Sequence, residues 1–420
     1  MLSAEMTDPQ TAALRPWLSI VGIGEEGIEG LSSAARELVR SAAVVFGGPR
    51  HLALAASLIR GVARPWAVPF DQSLAEVQQL RGHPVCVLAS GDPFFHGVGS
   101  LLSHQVRGDE MVSVPARSAF SLAASRLFWS IPQTVLLSLC GRPLDLIRPH
   151  LHPGARILVL TSDQCTPHDI ARLLAGSGFG PSQVTVLEAL SGPRERVRAA
   201  RADRFDFVDI DALNTVAIEV VAEPNARILS RAAGLADELF EHDGQMTKRE
   251  IRALTLSALA PSRGELLWDV GAGAGSVAIE WMLADVSLSA IAIEQRGDRA
   301  ARLMRNAAAF GVPHLQLVEG SAPSALEGLT PPDAVFVGGG ATASGVIEAA
   351  RSALRPAGRL VVNAVTLESE SLLLKCKTQW GGTLTHIAIS RAGPLGGDTA
   401  RLSGWRPYMP VIQWSWTKPR

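Results

Sequence analysis

The chain has 420 residues, 47% apolar and 19% charged, more than one hydrophobic core usually supports, so two or three domains are expected. With 39 basic against 40 acidic side chains the formal charge is −1, which offers no basic stripe for nucleic acid or an anionic membrane. The four cysteines (Cys86, Cys140, Cys165, Cys376) lie far apart without a C-x-x-C, so neither a zinc site nor a disulfide frame is expected, and no metal.

Met1 to Arg15 lacks a basic start followed by an apolar run and reads as a disordered lead-in, not a signal peptide. No stretch of 18 apolar residues follows, so a soluble, cytoplasmic protein is expected. A strand over Trp17 to Ile23 enters a glycine-rich turn, Val21 to Gly30. The next helix sets Leu31, Ala35, Leu38 and Val39 on one face, and a second strand covers Ala42 to Phe46. As a dinucleotide turn this fails. Glu25 and Glu26 stand where a phosphate belongs, and the second strand ends in Phe46-Gly47-Gly48 with no acid for a ribose. A tight turn lining a cleft is the better reading.

A buried strand from Val85 ends in Ser90-Gly91-Asp92-Pro93, turn chemistry at a strand's carboxyl end, where open α/β sheets bind ligands. Further strands are expected at Met111 to Val114, Thr134 to Leu139, Arg156 to Leu160, Gln183 to Leu187 and Asn214 to Val221. Pro115 to Ala119 and Cys140-Gly141-Arg142 again put small and polar residues just past strands. His96, beside Phe95, reads as a cleft residue or a structural histidine. Glu223 to Glu241 is Ala/Arg-rich and reads as a helical linker between domains 17–222 and 242–420.

The most informative stretch is Leu266 to Glu280. An apolar run stops at Asp269, Gly271, Gly273 and Gly275 alternate with Ala272 and Ala274, and a helical pattern begins. The following strand, Ala290 to Ile293, ends in Glu294, about 20 residues on, where an acid can hold both hydroxyls of a ribose. Glycines and acid together indicate an adenosine-bearing cofactor. The order D-x-G-x-G-x-G narrows it, since Asp269 would repel a pyrophosphate but suits an amino-acid ammonium and a sulfonium. Beyond Val335 to Val337 stand Gly338, Gly339 and Gly340. They leave room for a large flat substrate, or form a merely flexible turn. Arg299, Arg302 and Arg305 read as a solvated helix face.

Two families are resembled. Val21 to Gly24, Ser90 to Pro93, Pro115 to Ser118 and Leu187 to Arg196 resemble the tetrapyrrole methylase family, which implies two α/β subdomains with S-adenosylmethionine (SAM) in the cleft between them. Asp243 to Arg252, Trp268 to Glu280, Glu319 to Ala322 and Val335 to Gly340 resemble the class I precorrin methyltransferase family, which implies a Rossmann-like class I SAM methyltransferase fold. Fused in this order they imply a bifunctional C-methyltransferase of cobalamin biosynthesis. It would act on a corrin precursor at C-5 and C-15 and decarboxylate a ring acetate. Four residues depart from the pattern: Glu25 and Glu26 in the first loop, Cys140 in place of a His, and Ser321 in place of an acid.

Carried over by position, the resemblance implies cofactor contacts from Thr247, Asp269, Gly271, Ala272, Gly273, Ala274, Gly275, Glu294, Gly320, Ser321 and Ala322 in the C-terminal half. In the N-terminal half it implies Gly91, Asp92, Pro93 and Ser118. A corrin precursor carries many carboxylates, for which Arg117, Arg142, Arg252 and Arg391 are the candidate clamps. Methyl transfer needs no protein nucleophile and no catalytic residue is assigned; Glu250 or water could supply the proton for decarboxylation. The resemblance also implies a homo-oligomer through the C-terminal half. Two other readings stay open: an N-terminal half that only docks substrate beside a single C-15 methyltransferase site, or a C-terminal half acting on RNA or protein.

Overall fold

The computed structural model describes residues 16–395 and 402–420, so the lead-in Met1 to Arg15 lies outside the described residues. Among them no helix is long and apolar enough to cross a membrane. The chain divides into two compact units, Met1–Arg142 with His152–Arg227, and Pro143–Leu151 with Ile228–Arg420.

The first unit holds two five-stranded sheets. In one, β1 (Leu18–Ile23), β2 (Val44–Gly47), β3 (Val62–Pro65), β4 (Val85–Ser90) and β5 (Met111–Val114) run parallel in the order β3-β2-β4-β1-β5. All six residues of β1 are buried, as expected of a parallel strand covered on both faces. Period-two alternation divides them: Leu18 and Ile20 pack with Phe46 and Leu74, and Val21 and Ile23 with Leu31 and Val39. The other sheet contains β6 (Thr134–Ser138), β7 (Arg156–Leu160), β8 (Gln183–Glu188), β9 (Arg196–Arg201) and β10 (Asn214–Glu219), ordered β6-β7-β10-β8-β9. Only β6 and β7 pair in parallel. Strand β9 escapes sequence patterning because it is an Arg-rich edge. Its Arg196 and Arg198 reach the buried Glu188 carboxylate, at 2.7 and 3.2 Å.

The second unit is built on a seven-stranded sheet. Its strands are β11 (Leu266–Val270), β12 (Ser289–Glu294), β13 (Gln316–Glu319), β14 (Ala334–Val337), β15 (Arg359–Ala364), β16 (Thr383–Ile387) and β19 (Val411–Thr417). A hairpin of β17 (Ser390–Pro394) and β18 (Ser403–Pro407) leaves the sheet between β16 and β19. The sheet order is β13-β12-β11-β14-β15-β19-β16, with β11 to β15 parallel and β19 returning antiparallel between β15 and β16. Leu267 packs under the helices Arg249–Leu259 and Ser276–Ala284, and Trp268 and Val270 face the opposite core.

The helical linker expected at Glu223 to Glu241 is not a helix. Only a short 3₁₀ turn, Asp237–Leu239, forms there. Pro224 and Gly234, the latter at φ +89°, interrupt the helical pattern. Leu229, Leu235 and Phe240 are buried with Leu256, Trp281 and Phe310, so the segment is an extended strap on the second unit's core. Phe240 stacks on Phe310 with ring centroids 4.2 Å apart.

Candidate functional sites

In the first unit, the carboxyl ends of β1 and β4 and the loop after β5 open on a cleft of about 360 Å³, closed on its other side by β7, β8 and β10. The loops come together because Gly22 has no side chain. A Cβ there would stand 1.9 Å from Gly91 O and 2.5 Å from Ala116 N. Ala116 N donates to Gly91 O at 3.0 Å, fixing one turn on the other. Gly91 itself sits at φ +56° against Ser118, and Ser118 caps the helix Ala119–Leu127 by accepting from Ser121 N.

Gly91, Asp92 and Ser118 line this cleft, as does Arg117. Pro93 does not. Its carbonyl is turned to the Gly97–Gly99 turn, where Gly99 N donates to it at 2.9 Å. Arg142 is exposed outside the lining, though close enough to His96 to act with burial in lowering that imidazole's pKa. His96 lines the cleft, stacked on Phe95 with centroids 5.4 Å apart. Cys140 is also on the wall, with its thiol 3.2 Å from Thr161 O.

Glu25 and Glu26 do not leave bare negative charge in the first loop. Glu25 is paired with Arg50 and lies 3.7 Å from Arg194, and Glu26 accepts from Arg117 at 2.5 Å. Sequence reasoning missed Arg50, His51 and Ser90 as a connected group. Arg50 Nη2 lies 2.9 Å from both His51 Nε2 and Ser90 Oγ, and those two are 2.8 Å apart. A guanidinium only donates, so Nε2 accepts and the neutral ring carries its proton on Nδ1. Burial, then the Arg50 charge, push the His51 pKa down to about 4, and the ring stays neutral at physiological pH.

In the second unit a pocket of about 580 Å³ opens where β11, β14 and β15 end. Thr247, Asp269, Gly271, Ala272 and Gly273 line it, together with Gly338 and Gly339. Gly271 takes φ +72°, and a Cβ there would lie 2.9 Å from both Gly339 N and Gly339 O. The glycines after β14 are therefore needed where two strand-end loops touch, beyond any room they leave for substrate. Gly271→Ala is expected to cost about 1–3 kcal/mol of stability by overpacking. It should also weaken cofactor binding in this pocket at least tenfold, read by thermal melting and calorimetric titration.

Asp269 is 1% exposed. Its Oδ2 accepts from Ala278 N at 3.0 Å, at the start of the helix Ser276–Ala284, and its Oδ1 is buried with no hydrogen-bond partner. Burial, with a smaller push from Glu294, lifts its pKa to about 7. Glu294 lies behind the loop, accepting from Gly273 N at 2.8 Å and Arg296 N at 2.9 Å. Gly320, Ser321 and Ala322 follow β13, in register beside Glu294, outside the pocket lining. Two expected contacts are displaced. Ala274 is buried with its carbonyl taken by Asn306 Nδ2 at 2.9 Å, and Gly275 packs on Leu303, where a Cβ would stand at 2.7 Å.

Two expectations about arginines are overturned. Arg252 cannot clamp substrate, because its side chain is 0% exposed. It holds Glu280 at 2.5 Å, Asp237 at 3.1 Å, Thr247 O at 2.6 Å and the Leu235 carbonyl. Arg299 and Arg302 are not a solvated face either. At 17% and 20% exposure they pair with Asp243, and Arg299 also reaches Gln245 at 2.6 Å, pinning the segment that carries Thr247 over the glycine loop. Arg391 is outside the pocket lining, ion-paired at 2.5 Å with Glu250, which lines it. Sequence reasoning missed Lys248 and Asn363 in the lining, and Ile387, Ile389, Tyr408 and Met409 on the far wall.

Residues 18–206 match the model of the tetrapyrrole (corrin/porphyrin) methylases, and residues 238–418 that of the precorrin methyltransferase domain. Over 415 residues the chain is 57% identical to a precorrin-6Y C(5,15)-methyltransferase [decarboxylating] of Sinorhizobium sp, covering 99% of this chain and 100% of that one. It is 41% identical to the protein of that name from Mycobacterium tuberculosis, over 95% of this chain and 99% of the relative. A cobalt-precorrin-6B C(15)-methyltransferase (decarboxylating) of Salmonella typhimurium is 41% identical over 169 residues, 39% of this chain and 86% of the relative.

Proposed function

The chain belongs to the precorrin-6Y C(5,15)-methyltransferase (decarboxylating) family, and from that premise we propose that its two units divide the work, each with its own SAM site. It is a bifunctional methyltransferase of cobalamin biosynthesis, and its substrate is a corrin precursor. In this reading the first unit's cleft methylates C-5 of precorrin-6B. The second unit's pocket methylates C-15 and removes the ring acetate carboxylate. The C(15) relative supports that split, since a protein whose matched part spans 39% of this chain bears the name of the decarboxylating C(15) activity.

The observation that carries the reading is that each unit has its own cavity at strand ends, built around left-handed glycines, Gly91 in one and Gly271 and Gly273 in the other. SAM fits the second pocket by its polar demand. The unpartnered Asp269 Oδ1 is an acceptor waiting for an ammonium, and Gly271 and Gly273 let backbone approach the ligand. Thr247 and the turn Gly271 to Gly273 would hold the methionine end, Glu294 the ribose, and Gly320 to Ala322 the adenine. In the first cleft, Gly91, Asp92 and Ser118 would hold the cofactor and Arg117 a substrate carboxylate. When bound, the sulfonium supplies an electrophilic methyl for in-line displacement by a carbon of the macrocycle. The protein's part is alignment and exclusion of water, for which positioning alone is worth ~7–11 kcal/mol.

Calorimetric titration of SAM on the intact chain tests this. Two sites are expected, with Gly91→Ala losing one and Asp269→Asn losing the other. A single site abolished by Asp269→Asn and untouched by Gly91→Ala would leave the first unit as a substrate dock.

A further inference from the structure

Replacing a carboxylate by hydrogen requires a proton donor at the carbon that loses CO₂. We propose that this donor is Tyr408, with Arg391 positioning it. The inference rests on the reading that the second unit's pocket carries the decarboxylation.

The pocket's own chemistry narrows the choice. Glu250 lines it; burial pushes its carboxyl up, but the ion pair with Arg391, a backbone hydrogen bond and the Arg249 charge together hold it below the usual range, so it has no proton to give near neutral pH. Arg299 is a guanidinium already bonded to Asp243 and Gln245, and guanidinium groups do not deprotonate in proteins. Asp269 lines the pocket with Oδ2 bonded to Ala278 N, and its Oδ1 is the acceptor assigned above to the cofactor ammonium. Lys248 lines the pocket with its ammonium 3.3 Å from Gly244 O. Tyr408 brings a phenolic O–H to the pocket wall, a group that can both donate and accept.

Its setting suits the task. Tyr408 N donates to Ile389 O at 2.9 Å, extending the β17–β18 ladder and fixing the residue at the hairpin root. The Arg391 guanidinium stands 5.3 Å from the centre of its ring, held from behind by Glu250. The contact holds the Tyr408 ring in place in the pocket wall. Ile387, Ile389 and Met409 make the surrounding wall apolar, which disfavours a charged carboxylate relative to CO₂.

The step balances. The bond from the side-chain carbon to the carboxyl carbon breaks, CO₂ leaves, and the electron pair enters the conjugated macrocycle. As the pair returns, a C–H bond forms with the Tyr408 hydroxyl proton, leaving a phenolate against Arg391. At 41% exposure the phenolate is reprotonated from water.

The test uses the full chain, with the corrin precursor and SAM, measuring CO₂ release and product mass. Tyr408→Phe should slow CO₂ release roughly 10²–10⁴-fold while SAM still binds at wild-type stoichiometry. The chain has one tyrosine, so the phenolate absorbance band titrates this residue alone. The alkaline limb of the CO₂-release profile should coincide with that titration, which a merely structural role would not produce. CO₂ release within threefold of wild type in Tyr408→Phe overturns the proposal, as does a collapse confined to Lys248→Met, which would make the ammonium the donor. Normal CO₂ release in Asp269→Asn would instead place the fault with the pocket assignment.

Discussion

Arg252→Met should destabilise the second unit by about 3–5 kcal/mol, the cost of leaving one partner of a buried ion pair uncompensated. The Arg252 side chain is wholly buried, and Glu280 is 3% exposed. Glu280 also accepts from Gly234 N at 2.6 Å and Leu235 N at 2.9 Å, so its carboxylate ties the strap to the helix Ser276–Ala284. Removing the guanidinium leaves that charge with two backbone donors and frees the Leu235 and Thr247 carbonyls. The strap then loses its anchor, and Thr247 loses the bond that fixes its backbone beside the pocket. Urea unfolding should show the loss in the transition that reports the second unit. The double variant Arg252→Met with Glu280→Gln should recover part of it, because no bare charge remains. An unfolding free energy within about 0.5 kcal/mol of wild type (the scatter of surface substitutions) for Arg252→Met would contradict the role.

The same cluster shows where sequence was informative and where it was not. The strand β11, its glycines and the helix after them are local, and an apolar run meeting Asp269 and alternating glycines is legible without tertiary context. Arg252 next to a motif reads as a site residue, but its partner Glu280 is 28 positions away and meets it only through packing of two helices. The 223–241 segment has helical composition, yet burial of Leu229, Leu235 and Phe240 in the second core overrides propensity. Tyr408 and the isoleucines of the far wall reach the pocket because β19 returns between β15 and β16, a topology with no local sequence signal. In the first unit, Gly91 and Asp92 are legible as a strand-end turn. The Arg50–His51–Ser90 group is not, since it joins residues from two strands' ends.

Asp269→Asn should raise the stability of the cofactor-free chain at pH 8, remove the part of its pH dependence that Asp269 contributes, and weaken SAM in the second pocket. The Asp269 pKa stands at about 7 in the fold against an ordinary value of 3.8. The folded state therefore binds the extra proton between those values. Its contribution is most favourable below about pH 4, declines across pH 4–7 and is lost above pH 7. At 1.36 kcal/mol per pH unit the buried charge costs at most roughly 4 kcal/mol at pH 8. Asn keeps an acceptor for Ala278 N but brings an amide N–H₂ without a partner, returning about 1–3 kcal/mol. A net gain of about 1–3 kcal/mol at pH 8, and a loss of similar size at pH 4, is the expected outcome of urea titrations. For cofactor the sign reverses, since an ammonium meeting Asp269 Oδ1 would hold the carboxylate ionised. Replacing that charge-assisted bond should weaken SAM about 10–100-fold, read by calorimetry. Wild-type binding in this pocket should correspondingly release a proton near pH 6, detectable as a dependence of the binding enthalpy on the buffer's ionisation heat, and absent in Asp269→Asn. A variant that binds SAM as tightly as wild type, with no stability gain at pH 8, would mean that Asp269 is ordinary core polarity. The strain of an unsatisfied buried carboxylate is expected instead to be the preparation of the site for a positively charged ligand.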